Sequence, residues 1–473
     1  MDTPQHCPEK SGGFIDAGKL ACLQVNTGIN LRLLTLLSVA AAFGGLLFGF
    51  DIAIITGAGP FLTQQFDLTE LSLGWAFSSL LFGCVIGSYL AGKWADRFGR
   101  RSLLLSVAVV FAVTSAATAA SSNFRSFIIA RFLGGIAVGA ASLLCPMYVA
   151  EVAPPSLRGR MGTLYQLSII LGILVSYCIN YLLRGSGPSN WRWMFFSGVL
   201  PAVIFLLLMI AAPETPRFLV RSGRREQALT LLRRLLGPEL AETELRAIEE
   251  GHQVTAVNGR ASMQRRGVRR ALKVAFVLAI LIHFSGINTV IDYAPVIFQS
   301  AGWTLDTALI STFLVGVTEL VFTCISFWAI DRFGRKPLYI TGSVGMAVSL
   351  SLLMFASMAG LFHGLFVLVL ILLYLAFFSA CIGGVFWTLV AEIFPNDVRS
   401  ESMIVPVLTQ WVANAIVVLF FPFVFLRVGK EVTFGFLAVM SMAQAFFTWR
   451  FVPETKGLPL ETIESYWVEQ LEV

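Results

Sequence analysis

Twelve membrane-spanning helices in two pseudo-symmetric six-helix halves, an all-α membrane protein, is the fold that the sequence predicts. Three observations predict it. The 473 residues are 56% hydrophobic and only 13% charged, with a mean hydropathy of +0.78; an ordinary soluble domain carries about 25% charge. Twelve apolar runs reach the roughly 20 residues that a bilayer-crossing helix needs. Short charged motifs also recur at an offset near 240 residues. A soluble chain of this length would need far more charge to cover its surface, so the composition excludes a soluble enzyme, a disordered chain and a fibrous one.

In chain order, residues 1–33 carry Lys10 and Lys19 but no apolar stretch long enough for a signal peptide, and read as a cytoplasmic tail. The first half, 34–213, holds runs at 34–57, 71–92, 102–120, 126–149, 161–183 and 193–212. A charged segment follows at 214–270; the helical spacing of its Leu and Ile residues predicts short amphipathic helices on the membrane surface. The second half, 271–452, holds runs at 271–298, 305–330, 337–359, 363–391, 403–426 and 432–451, and 453–473 form a second tail.

Lys and Arg set the orientation. An even number of spans puts both termini on one side. If that side is the cytoplasm, most of the 34 basic residues fall in cytoplasmic tails and loops. Arg125, Arg184, Arg192, Arg427 and Lys430 lie on the other side, and Arg131 falls within a span. The net charge of +6 is then the signature of basic cytoplasmic loops rather than of a nucleic-acid partner. The seven Cys are odd in number and contain no CxxC, so they read as reduced thiols serving as small apolar residues.

The repeat is explicit. Asp96-Arg97-Phe98-Gly99-Arg100-Arg101 recurs as Asp331-Arg332-Phe333-Gly334-Arg335-Lys336; Glu151, Pro154 and Arg158 recur as Glu392, Pro395 and Arg399; Pro213-Glu214-Thr215 recurs as Pro453-Glu454-Thr455. Each match follows the same helix number in its half. Two parallel halves around a central site form an alternating-access architecture.

With these motifs stand GGLLFGFD (44–51), GKWADRFGRR (92–101), RFLGGIAVG (131–139), PMYVAEVAPPSLRGR (146–160), PETPR (213–217), SGIN (285–288), AEIFPNDVR (391–399) and PETKG (453–457). In this order, at these helix ends, the chain resembles the sugar porter branch of the major facilitator superfamily over about residues 34–465. The resemblance implies a transporter of a sugar or polyol in the plasma membrane, with a bacterial inner membrane expected, working as a monomer in the lipid bilayer. It implies a cytoplasmic gate in which Asp96, Arg100, Glu151, Arg158, Asp331, Arg335, Glu392 and Arg399 form inter-helix salt bridges that close the inside. Solvated charge is the plain alternative reading of these residues.

Asp51 and Arg131 are ionisable groups within spans, which are costly there and mark functional candidates. Burial favours the neutral acid and a nearby guanidinium the ionised one, so a pair that separates during rocking would take up and release a proton. A structural ion pair between spans one and four is the alternative. The resemblance implies proton symport, because proton-coupled sugar porters carry Asp at this position.

Matched to the family pattern, the substrate site comprises Phe48, Gln166, His283, Asn288, Glu319, Trp387, Gln410, Trp411 and Asn414, with Asp292 and Tyr293 as an extracellular gate. Gln410 and Asn414 are four residues apart and share a helix face, as do Asn288 and Asp292. The chain departs from the pattern in several places. Ile282 and His283 stand where the family has two Gln, Asp292 replaces a gating Tyr, Glu319 replaces an Asn, Ile173 replaces a Gln, and Gly384 replaces a Pro. His283 and Glu319 are expected to pair across spans seven and eight, either to bind substrate, to titrate or to hold the helices together.

Gly87-Ser88-Tyr89-Leu90-Ala91-Gly92-Lys93-Trp94 nearly matches a P-loop, but it lacks the final Ser/Thr and ends an apolar helix, so ATP-driven transport is not supported. Gly83xxxGly87 and Gly135xxxGly139 instead suit close helix packing. No metal-ligand spacing or nucleophile constellation appears, and neither a cofactor nor enzyme activity is expected. The sequence reading is a secondary transporter importing a sugar or polyol by symport with a proton through Asp51. A facilitative sugar uniporter and a non-transporting sugar receptor of the same fold are the competing readings.

Overall fold

Lipid offers the backbone no hydrogen-bond partners, so each apolar run must satisfy its own N–H and C=O groups as a helix. A computed structural model of the chain describes residues 29–263, 266–394 and 402–456. Among these the spans, numbered one to twelve, are Leu31–Phe66, Glu70–Phe98, Arg100–Ala119, Phe124–Val152, Met161–Leu183, Asn190–Ala211, Gly267–Asp292, Leu305–Ile330, Arg335–Met358, Gly364–Glu392, Ile404–Val428 and Lys430–Phe451. Span one runs past its expected end at 57, through Pro60, to Phe66.

Four spans are not the continuous α-helices that their apolar runs predict: span six is interrupted at Ser197 and Gly198, span eleven ends in a π-helical turn, Val424–Val428, and spans seven and ten break in their interiors. Span seven stops at Phe284 and resumes at Ile287 after Gly286, which is left-handed at φ 90°. The carbonyl of Ser285, released at the break, accepts from the buried Tyr374 hydroxyl at 3.0 Å. Span ten contains a π-helical turn, Ser379–Gly383, before its last stretch, Gly384–Glu392; such turns interrupt helices mostly at functional sites.

Small residues set the packing. A β-carbon on Gly83 or Gly135 would strike the backbone of the facing helix, so spans two and four approach at van der Waals distance. The Ser88 hydroxyl on the same face donates to the Gly139 carbonyl at 2.9 Å. The near P-loop is therefore a helix-packing surface. The five Cys among the described residues are unbridged.

Between the halves lie three helices, Pro216–Arg221, Arg225–Leu236 and Pro238–Met263. The second is amphipathic as predicted, burying Leu229, Leu232, Leu235 and Leu236. The third, at 26 residues, is longer than expected. The Asn30 N–H donates to the Leu235 carbonyl at 2.8 Å, tying the start of span one to this segment.

Candidate substrate and ion-coupling site

Asp51 of span one and Arg131 of span four form one buried unit. Asp51 is 6% exposed and Arg131 is 2% exposed. Arg131 Nη1 donates to Asp51 Oδ1 at 2.6 Å, and Nη2 donates to the Asp51 carbonyl at 3.3 Å. The guanidinium carbon lies 5.3 Å from the centre of the Phe195 ring. Two charges in a low-dielectric interior survive because each satisfies the other, and removing either strands its partner.

Three residues before Asp51 on span one, the Phe48 ring meets the Trp411 ring edge to face at 5.6 Å. This contact joins span one to span eleven, one from each half. His283 Nε2 lies 3.5 Å from Gln410 Oε1. Around them, buried polar atoms have no protein partner: Trp411 Nε1, Asn414 Nδ2 and His283 Nδ1. An unmade hydrogen bond in a buried place costs about 1–3 kcal/mol, so such a wall is poised for a ligand rich in hydrogen-bonding groups. Asn288 and Gln166 are half-buried. Trp387 packs edge-on against Phe386 at 5.1 Å and stays 36% exposed.

The expected His283–Glu319 pair does not form. His283 turns to Gln410, and Glu319 Oε2 is buried without a hydrogen-bond partner. Helix register decides this: Gln410, on the helix facing span seven, presents an acceptor to the imidazole.

Tyr293 stacks between Phe77 at 4.4 Å and Phe421 at 5.2 Å, and its hydroxyl donates to the Val418 carbonyl at 3.0 Å. Phe77 belongs to the opposite half, so this stack joins the halves at the end remote from the charged loops. At the same end Gly74 lies against the Leu419 backbone. Two ion pairs also cross between the halves there, Arg427–Glu70 at 2.8 Å and Arg184–Asp306 at 2.6 Å. The halves are sealed at this end. Asp292, adjacent to Tyr293, takes no part in the stack; its Oδ1 is buried and unpartnered.

At the opposite end the charged motifs pair within each half. Arg100 reaches Asp96 at 3.0 Å and Glu151 at 2.9 Å, and Arg335 reaches Glu392 at 2.9 Å. Arg221, in the segment between the halves, also pairs with Asp96. Among the described residues no ion pair joins the two halves at this end. The side chains of Arg158 and Asp331, and Arg399 altogether, lie outside the described residues.

Sequence reasoning passed over the residues that hold these motifs in shape. Glu214 Oε1 accepts the N–H groups of Arg100 and Arg101, both at 3.1 Å, and so caps span three. In the second half, Glu454 accepts from the N–H groups of Arg335 and Lys336, both at 3.1 Å, and caps span nine. A carboxylate at a helix N-terminus satisfies orphan donors and complements the helix dipole. Gly99 and Gly334 precede these helices at φ +88°, and a β-carbon on either would collide with the capping carboxylate. The recurrence of Pro-Glu-Thr was the signal, but its partners lie more than a hundred residues away in the chain.

A bundle of twelve spans, with a polar wall shared between two related halves and sealed at one end, defines a carrier of the major facilitator type. The family model described as "Sugar (and other) transporter" matches residues 37–467, and the chain belongs to that family, the sugar porters. It is 36% identical to the arabinose-proton symporter of Bacillus subtilis, over 92% of this chain and 95% of that protein. It is 37% identical to the D-xylose-proton symporter of Escherichia coli, over 94% of this chain and 97% of that protein. Among solved structures, the inward-open xylose transporter XylE of E. coli superposes with a TM-score of 0.81 at 36% identity, covering 91% of this chain and 99% of that one. The protein is a multi-pass plasma-membrane transporter, not an enzyme.

Proposed function

We propose that this transporter imports a sugar or polyol by alternating access, coupled to a proton carried by Asp51. The observation that carries the reading is the buried Asp51–Arg131 pair, whose Asp51 shares span one with Phe48, the ring that meets Trp411 across the halves. The symport named for the arabinose and xylose relatives supports it. Phe48, Gln166, His283, Asn288, Trp387, Gln410, Trp411 and Asn414 are the proposed substrate residues. When the acid takes a proton, its bond to Arg131 loses its ionic character and the two helices are free to part. Deprotonation on the other side restores the pair.

With both termini in the cytoplasm, the sealed end faces outside and the conformation is closed to the exterior. The unlinked charged ends of the halves, Asp96, Arg100, Glu151, Arg335 and Glu392 among them, then form the cytoplasmic gate, open in this state. Tyr293, stacked on Phe77, serves as the external plug. The test is a panel of pentoses, hexoses and polyols offered to proteoliposomes under an imposed pH gradient. Accumulation above equilibrium that vanishes when the gradient is collapsed is the expected result. Equal uptake with and without the gradient would replace symport by uniport, and no uptake of any member would overturn the reading.

A further inference from the structure

The polar wall holds more negative charge than the coupling pair accounts for. Asp292 is 4% exposed, and it and Glu319 each bury a carboxylate oxygen with no hydrogen-bond partner; neither has an ion-pair partner among the described residues. The third member of the group is Tyr177 of span five, 2% exposed, whose hydroxyl is also unpartnered. Its ring packs on span eight at Gly316, where a β-carbon would lie 3.2 Å away. Glu319 follows Gly316 by three residues and shares that helix face. Glu319 and Asp292 both stand within electrostatic reach of the Tyr177 hydroxyl. Spans five, seven and eight thus gather three unsatisfied oxygens between the halves.

Three species could relieve this arrangement. A proton on each acid removes the charge but leaves Asp292 Oδ1, Glu319 Oε2 and the Tyr177 hydroxyl without hydrogen-bond partners. A neutral hydroxyl supplies a hydrogen bond but leaves the charge, and an unpaired buried charge is the most costly group a protein can hold. An alkylammonium supplies both, with three N–H donors for three oxygens. The wall's charge then closes: three carboxylates, Asp51, Asp292 and Glu319, are matched by Arg131, the ammonium and one transported proton.

We propose that Asp292, Glu319 and Tyr177 form a subsite for the protonated amine of an amino sugar or amino polyol. This inference rests on the sugar-site reading above and names the substrate class of that site. The test uses the purified full-length transporter, with binding read by intrinsic tryptophan fluorescence and by thermal stabilisation. The probes are D-glucosamine, N-acetyl-D-glucosamine and D-glucose, at a pH where the free amine is protonated. The expected result is a preference for D-glucosamine over its N-acetyl form on the order of tenfold or more, the value of one charge-assisted hydrogen bond. In Asp292→Asn/Glu319→Gln that ratio falls towards one, and in Tyr177→Phe it falls part of the way. The wild-type ratio needs no variant, so it remains decisive if a variant fails to fold. D-glucose binding without amine preference would overturn this inference and leave the sugar site standing; no binding of any of the three would also overturn it, and the panel of pentoses, hexoses and polyols then decides the sugar site separately. Replacing choline chloride by sodium chloride is the control for an inorganic cation: sodium-dependent D-glucose binding that is lost in the double variant, without amine preference, would assign the oxygens to sodium and overturn the ammonium site.

Discussion

Replacing Asp51 by Asn separates hydrogen bonding from charge at the coupling pair. The amide oxygen keeps the acceptor that Arg131 Nη1 uses at 2.6 Å, and the backbone carbonyl still receives Nη2 at 3.3 Å. What disappears is the negative charge and the ability to bind a proton. Without its counter-charge, Arg131 still has the face of Phe195 at 5.3 Å; even so, breaking a buried pair costs about 3–5 kcal/mol, so a lower melting temperature is expected. Coupling has its own scale: one proton moving through 100 mV supplies about 2.3 kcal/mol, a roughly fifty-fold accumulation of substrate. In Asp51→Asn that factor should fall to one, while exchange of labelled for unlabelled substrate continues, since rocking no longer needs a proton. The assay is proteoliposome uptake with an imposed pH gradient beside counterflow without one. Gradient-driven accumulation that survives in Asp51→Asn would refute the role of this acid.

Other outcomes follow from packing and capping. Phe77→Leu removes the stack on Tyr293 that joins the halves, worth about 0.5–1.5 kcal/mol, so the sealed end should open some two- to tenfold more often, read as distance changes between spin labels at the outer ends of the halves. Glu214→Ala and Glu454→Ala each remove a helix cap worth about 1 kcal/mol. Because the caps serve different halves, their effects on thermal stability should add to within ~0.5 kcal/mol, and strong non-additivity would show the two turns to be coupled. Gly135→Val forces a side chain into the Leu80 backbone and should cost about 1–3 kcal/mol through overpacking. Gly162→Ala, where nothing lies nearby, should leave the melting temperature unchanged or raise it.

Much of the architecture is written in single-residue chemistry. Hydropathy alone marks the twelve spans, because lipid forces any long apolar run into a helix. The repeat of Asp-Arg-Phe-Gly and Pro-Glu-Thr marks two related halves. What hydropathy hides is anything that depends on one backbone angle or on register between helices. Gly286 sits inside an apolar run, yet its left-handed conformation breaks span seven. His283 and Glu319 stand at positions that suggest facing partners, but Gln410 from a third helix takes the imidazole. The carboxylate caps on spans three and nine were visible only as a repeated tripeptide, because the helix start that each one caps lies more than a hundred residues away in the chain.

The π-helical turn in span ten carries a kinetic consequence. It divides the helix into a shaft, Gly364–Phe378, and a short lever, Gly384–Glu392, that carries both Trp387 and Glu392. A widened turn replaces the regular i→i+4 hydrogen-bond ladder locally and is a point at which a helix kinks. Motion of so short a piece is faster than rotation of a six-helix body. Bending at this turn carries Trp387 and the Glu392–Arg335 contact together, and can precede any rotation of the six-helix body.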